Sequence, residues 1–107
     1  MDCLNSSNYN IYLANSVLDK VQGMLFRENR FDNSVLFIPS CNWVHSFFIN
    51  SNLYLYFIDE DFKIVSEILL NPWKISPLVF NAKHVIESKF KLDNNLLNEF
   101  LLTIKNN

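Results

Sequence analysis

The residues of this sequence best suited to chemistry are a cysteine and a histidine four positions apart. Cys41 and His45 lie in the segment CNWVHSFFI, residues 41–49. A thiol beside an imidazole can act as a nucleophile with its base, and the same two side chains can ligate zinc. If the segment is extended at about 3.3 Å per residue, their α-carbons lie about 13 Å apart, too far for one metal ion or one hydrogen bond to bridge. The spacing therefore argues against a pair, unless the chain bends sharply at Asn42.

A structural role for both residues is the simpler interpretation. A reactive cysteine needs an electropositive setting, which the neighbouring residues do not supply. We expect a buried His45 that hydrogen-bonds a neighbouring backbone group, and Cys41 as a small apolar side chain. His84 and Glu87 could approach each other through the fold, but two scattered histidines are too few to specify zinc. We expect no metal and no cofactor, and a hydrolase or transferase that uses Cys41 with His45 or His84 stays as the alternative.

Aromatic rings beside a lysine form a second candidate site. Flat rings next to a cation can hold a sugar ring, a peptide or an anionic ligand by stacking and cation–π attraction. Trp73 and Lys74 lie in the proline-bounded loop NPWKISP, residues 71–77, and we expect this loop beside His45. Trp43 is expected in the core. The candidate ligand-binding residues are His45, Trp73, Lys74 and Trp43, and the ligand is a small molecule or a protein.

Charge and composition exclude several classes of partner. The formal net charge is −2, and the nine lysines and arginines form no basic stripe of the kind that neutralises phosphates. We therefore expect no binding to nucleic acid. No run approaches the roughly 20 apolar residues that cross a bilayer, and the first residues do not resemble a leader. These features predict a cytoplasmic protein without membrane contact, in which Cys3 and Cys41 form no structural disulfide.

Hydrophobic patterns predict the elements that must position these residues. Alternating or continuous apolar runs indicate strands, and apolar residues at helical spacing after a capping residue indicate helices. Strands are predicted near 8–14, 34–38, 43–49, 53–59, 63–70 and 84–90, with helices at 17–27 and after Asp93. Tyr54 and Tyr56 are predicted to face away from Leu53, Leu55 and Phe57. The expected fold is a single α+β domain over residues 1–107, with residues 1–7 frayed and a mostly antiparallel curled sheet or partial β-barrel.

Three motifs resemble the family called domain of unknown function 192. The first is the stretch from Lys20 to Arg27, with matches at Gly23 and Met24. The second is the Cys-Asn pair followed by His45, Ser46, Phe47 and Phe48. The third comprises Pro72-Trp73-Lys74 and, further on, Val85-Ile86-Glu87. Tyr54 stands where that family has an aspartate, Ile49 replaces its methionine, and its downstream glycines are absent. The resemblance implies a compact, largely β domain without an established catalytic activity. We expect an uncharacterised, non-enzymatic binding or interaction module.

Overall fold

A computed structural model describes residues 2–15, 34–47 and 49–107. These residues form six strands and one C-terminal helix. The elements, in chain order, are β1(Asp2–Ser6), β2(Tyr9–Leu13), β3(Ser34–Pro39), β4(Leu53–Ile58), β5(Ile64–Leu70), β6(His84–Ser88) and α1(Asn94–Lys105). The helix predicted at 17–27 and the motif from Lys20 to Arg27 lie outside the described residues.

All six strands belong to one sheet in the order β1-β2-β3-β6-β4-β5. Neighbouring strands are antiparallel except β2 and β3, which run parallel. The predicted α+β class is confirmed. The sheet is mixed, and in the described part of the chain it is an open sheet with edges at β1 and β5 rather than a barrel.

The N-terminal residues, expected to be frayed, form an ordered hairpin instead. β1 pairs with β2 from Asp2 opposite Leu13 to Ser6 opposite Tyr9. Ser7 and Asn8 connect the strands with positive φ angles of 49° and 67°, the left-handed backbone that two-residue hairpin turns require. The expectation failed because β1 reads DCLNS, which lacks the apolar alternation by which strands are recognised.

One side of the sheet, here called the helix side, is covered by α1. Asp93 caps the helix as predicted, since its carboxylate accepts the Leu96 N–H at 2.7 Å. The Tyr56 hydroxyl also accepts the Leu92 N–H at 2.8 Å and so fixes the chain that enters the helix. Within the described residues, no helix is long and apolar enough to span a membrane. The helix buries four side chains against the sheet, namely Leu97, Phe100, Leu101 and Ile104.

The opposite side is covered by two irregular segments, residues 41–47 and 71–83, which we call the ribbon. The segments run antiparallel, because Cys41 N–H donates to Lys83 O at 2.9 Å and Ser46 N–H donates to Lys74 O at 2.8 Å. Val44 from the ribbon packs on a cluster of sheet residues: Leu36, Ile38, Leu53, Leu55, Phe57 and Val85. Tyr54 and Tyr56 belong to the helix side, which confirms the alternation predicted for β4.

The strand predicted at 43–49 is wrong as a regular element. His45 makes one isolated bridge with Ile75, and the other described residues of the segment belong to no strand. Its neighbour in the ribbon contains Pro72 and Pro77, which have no N–H to donate, so a continuous ladder cannot form there. The segment does alternate between apolar faces, but the second ribbon segment cannot pair with it along its length to form a sheet.

Candidate functional site

Three aromatic side chains project outward from the first ribbon segment. Trp43, His45 and Phe47 alternate with Val44 and Ser46, which are buried. Trp43 is 47% exposed, which corrects its expected place in the core. The prediction assumed that both faces of this segment are covered, but among the described residues only the inner face packs against the sheet.

Trp73 extends these side chains into a continuous aromatic row, defined here as Trp43, His45, Phe47 and Trp73. The ring centroids are 6.4 Å apart between Trp43 and His45, 5.0 Å between His45 and Phe47, and 6.3 Å between Phe47 and Trp73. His45 and Phe47 are stacked with an interplanar angle of 24°. Such spacings lie in the range of favourable ring pairs. The row therefore presents ring faces and edges as one surface.

Ser46 holds the two ribbon segments together beneath the row. Its hydroxyl donates to Asn71 O at 2.6 Å and accepts the Lys74 N–H at 2.9 Å. Its carbonyl accepts the Trp73 N–H at 3.0 Å. Ser76 also joins the two ribbon segments, because its hydroxyl accepts the Val44 N–H at 2.9 Å. Sequence reasoning gave neither serine a role, although a serine at an inward position of an apolar segment is a signal for a buried anchor.

Trp73 holds an uncommon backbone conformation. Its φ is 61°, in the left-handed region that bulky residues avoid. The side chain is nevertheless 53% exposed. The loop thus keeps a strained tryptophan at the surface. Strained residues of this kind concentrate at functional sites, which makes Trp73 a candidate contact residue.

His45 and Cys41 bond to different backbone groups. The His45 Nδ1 accepts the Phe47 N–H at 3.3 Å, and the ring is half-buried rather than fully buried. The Cys41 thiol donates to Trp43 O at 2.9 Å and packs against the ribbon-side core. His45 instead lies in the outward-facing row. The described contacts do not join the thiol to the imidazole.

His84 and Glu87 do not come together, because they lie on opposite faces of β6. His84 accepts the Ser40 N–H at 3.1 Å and packs against the rings of Phe37 and Phe62. Glu87 lies opposite Leu36 and Leu55, on the ribbon side. The described residues contain no group of three or more histidine, cysteine or acidic side chains that could hold a metal ion.

Glu87 is a buried acid in an apolar setting. It is 3% exposed, and this burial raises the pKa of its carboxyl from 4.5 to about 8. Desolvation disfavours the charged form, so at neutral pH the carboxyl is mostly protonated. The sequence named Glu87 as part of a motif and as a residue that could approach His84, but not as a buried acid, since a strand pattern alone does not say which face the residue occupies.

Exposed apolar side chains are concentrated on the ribbon. The large apolar residues exposed among the described ones number eight, and six of them lie there: Trp43, Phe47, Trp73, Ile75, Leu78 and Phe80. The ribbon also carries Lys74 and Lys83 and no aspartate or glutamate. It is therefore an apolar surface of positive charge, although the whole chain has a net charge of −2.

Comparisons with known proteins give a fold and a distant relative. No family model matches the sequence. A UPF0127 protein of Pyrococcus horikoshii is 25% identical over 95 residues, which cover 84% of this chain and 81% of that protein. A crystal structure of a protein of unknown function from Novosphingobium aromaticivorans has a TM-score of 0.67 at 17% identity. The match covers 82% of this chain and 68% of the other. The chain thus shares a fold with one uncharacterised protein and has weak sequence similarity to the UPF0127 family.

Proposed function

We propose that this protein is a non-enzymatic binding module whose aromatic row contacts another protein. The observation that carries the proposal is the row itself, four rings held at 5.0–6.4 Å spacings on the outside of a hydrogen-bonded ribbon. Tryptophan and other aromatic residues supply much of the binding energy in protein interfaces, because they bury large rigid surfaces. Folding leaves Trp43, Phe47 and Trp73 exposed, so a partner protein that buries them gains binding energy.

The shape of the surface favours a protein over a small molecule. Small molecules bind in concave sites that enclose most of their surface, whereas Trp43, Phe47 and Trp73 are between 36% and 53% exposed. The charge of the ribbon also indicates the composition of the partner segment. Lys74 and Lys83, without any acidic neighbour in the ribbon sequence, favour a partner segment that combines apolar and acidic residues.

A peptide selection tests this function. The probe is a phage-displayed library of random peptides selected on the whole protein, with the enriched peptides then synthesised and measured by calorimetry. We expect acidic peptides with apolar residues, and a loss of affinity of about tenfold or more in Trp73→Ala and in Phe47→Ala. Leu102→Ala is the matched control, since Leu102 is exposed on α1 across the sheet, and it should bind normally. Enriched peptides that bind all three variants equally would contradict the proposal.

The alternative enzyme is tested on the same protein by thiol reactivity. The Cys41 thiol donates to a backbone carbonyl and packs against the core, whereas Cys3 is exposed. We expect iodoacetamide to modify Cys41 more slowly than Cys3. If Cys41 reacts faster, and loses that advantage in His45→Ala, a Cys-His nucleophile replaces the binding module as the better explanation.

The proposal keeps two expectations from the sequence. One is membership of the domain of unknown function 192 family, which the matched motifs around His45 and Trp73 support. The other is a cytoplasmic location without nucleic-acid or membrane contact. Neither the row nor the ribbon depends on them.

A further inference from the structure

The two edges of the sheet differ in how well they are covered. β1 has five mostly polar residues, α1 packs beside it, and Ser7 next to it bonds to Glu99 of the helix. β5 has seven residues, IVSEILL, and among the described strands and helix its extensive contacts are with β4. In an edge strand every second residue directs its N–H and C=O away from the sheet. β5 therefore offers a row of backbone donors and acceptors.

β5 also lacks most of the features that protect edge strands. Natural edges carry prolines, lysines or charges that prevent pairing with another chain. β5 contains no proline and no lysine, and Glu67 is its single charged residue. A bulge opposite Phe57 and Ile58 disturbs only its first residues. From Ser66 to Leu70 the strand pairs regularly with β4 and has the geometry that accepts a further strand.

A groove of about 180 Å³ lies beside this edge on the helix side. Glu67 and Leu69 line it from β5, Tyr54 lines it from β4, and Lys91 lines it from the segment before α1. Glu67 and Lys91 are both exposed. Peptides that add a strand to a sheet gain affinity from backbone hydrogen bonds and specificity from pockets for alternate side chains. The β5 edge combines both features.

We propose that the β5 edge binds an extended peptide strand whose basic side chain enters the groove and pairs with Glu67. The charge of this region selects the occupant. Glu67 is joined by Asp59, Glu60 and Asp61 in the hairpin that precedes β5, against Lys63 and Lys91. A second copy of the chain fits less well, because antiparallel pairing about the middle of β5 would place two Glu67 carboxylates opposite each other.

The test uses the whole protein and two capped peptides of alternating valine and threonine, one with a central lysine and one with a central glutamate. We expect the lysine peptide to bind at least about tenfold more tightly, and Glu67→Lys to reverse that preference. The lysine peptide should also slow hydrogen exchange at β5 amides. Glu99→Lys, which makes the same change of charge on α1, should keep the wild-type preference.

Three results would overturn the proposal: equal binding of both peptides, protection of amides outside β5, or a wild-type dimer that Glu67→Lys dissociates. The last result would assign the edge to a second copy. Trp73→Ala leaves this edge untouched and should bind the lysine peptide normally. The proposal for the β5 edge and the proposal for the aromatic row can therefore be supported or rejected independently.

Discussion

The two sides of the sheet are covered in different ways. The helix side is covered by one regular, capped helix whose buried face is entirely apolar. The ribbon side is covered by irregular backbone tied by serine hydroxyls, with a buried glutamate beneath and aromatic rings outside. A helix satisfies its own backbone groups and needs only an apolar stripe. An irregular ribbon satisfies part of its backbone through side chains such as those of Ser46 and Ser76. Its outer face holds Trp73 and Phe47 at the surface. The helix side therefore contributes mainly to stability, and the surface proposed for binding lies on the ribbon side.

The largest effect is expected on the helix side. Phe100 is fully buried, and its ring lies 5.5 Å from that of Tyr9. Phe100→Ala should lower the free energy of unfolding by about 3–5 kcal/mol, through lost burial and a cavity. Phe80→Ala is the control, because Phe80 in the ribbon is 86% exposed and its loss should change stability by less than about 0.5 kcal/mol. Urea unfolding followed by tryptophan fluorescence measures both. Equal losses would remove the distinction between the two sides.

The buried Glu87 should make the ribbon side sensitive to pH. Its pKa is about 8 in the folded protein, against 4.5 for an ordinary glutamate in water. The folded state therefore holds the proton more tightly, and its stabilising contribution is complete below pH 4.5 and is lost progressively as pH rises to about 8. Each unit of this pKa difference corresponds to about 1.4 kcal/mol, so the total is a few kcal/mol.

The measurement for Glu87 is urea unfolding between pH 5 and pH 8.5 for the wild type and Glu87→Gln. Glutamine cannot ionise, so the stability of the variant relative to wild type should rise with pH across this range. Groups that titrate in both proteins contribute equally to their free energies of unfolding, so these contributions cancel in the difference. A difference that stays constant with pH would show that Glu87 has an ordinary pKa.

Buried serines provide a smaller effect within the ribbon side. Ser46→Ala removes the bonds to Asn71 and Lys74, and it should cost about 1–3 kcal/mol, because the partly buried backbone groups left behind lose their partner. Ser51→Ala is a sharp control. The Ser51 hydroxyl oxygen is buried with no hydrogen-bond partner in the structure. Its removal should be neutral or stabilising. In thermal melts, the Tm of Ser46→Ala should fall, and the Tm of Ser51→Ala should stay unchanged or rise.

The sequence predicted the regular parts of the fold better than the site. Alternation predicted β4, and an apolar stripe after Asp93 predicted α1, because both signals repeat within the segment itself. Trp43 was misplaced because its exposure depends on whether a second layer covers it, which no local pattern records. β1 was missed because it is polar. Ser46 was missed because its hydroxyl bonds to residues 25 and 28 positions away, and an inward serine does not by itself reveal which distant residues it joins.

The smallest effect tests whether Trp73 is held at the surface against its own backbone preference. Glycine adopts a φ of 61° without strain, while alanine does not. Trp73→Gly should therefore be more stable than Trp73→Ala, by about 1 kcal/mol or less once the greater freedom of glycine in the unfolded chain is included. Ile75 is exposed in the same ribbon without a positive φ, so Ile75→Gly should be less stable than Ile75→Ala. Chemical denaturation of the four variants gives the difference in stability between glycine and alanine at each position. Opposite signs of this difference show that the backbone is strained at Trp73 and not at Ile75. If glycine is the less stable residue at both positions, the conformation of Trp73 stores no strain, and the ribbon loses no stability by presenting this ring.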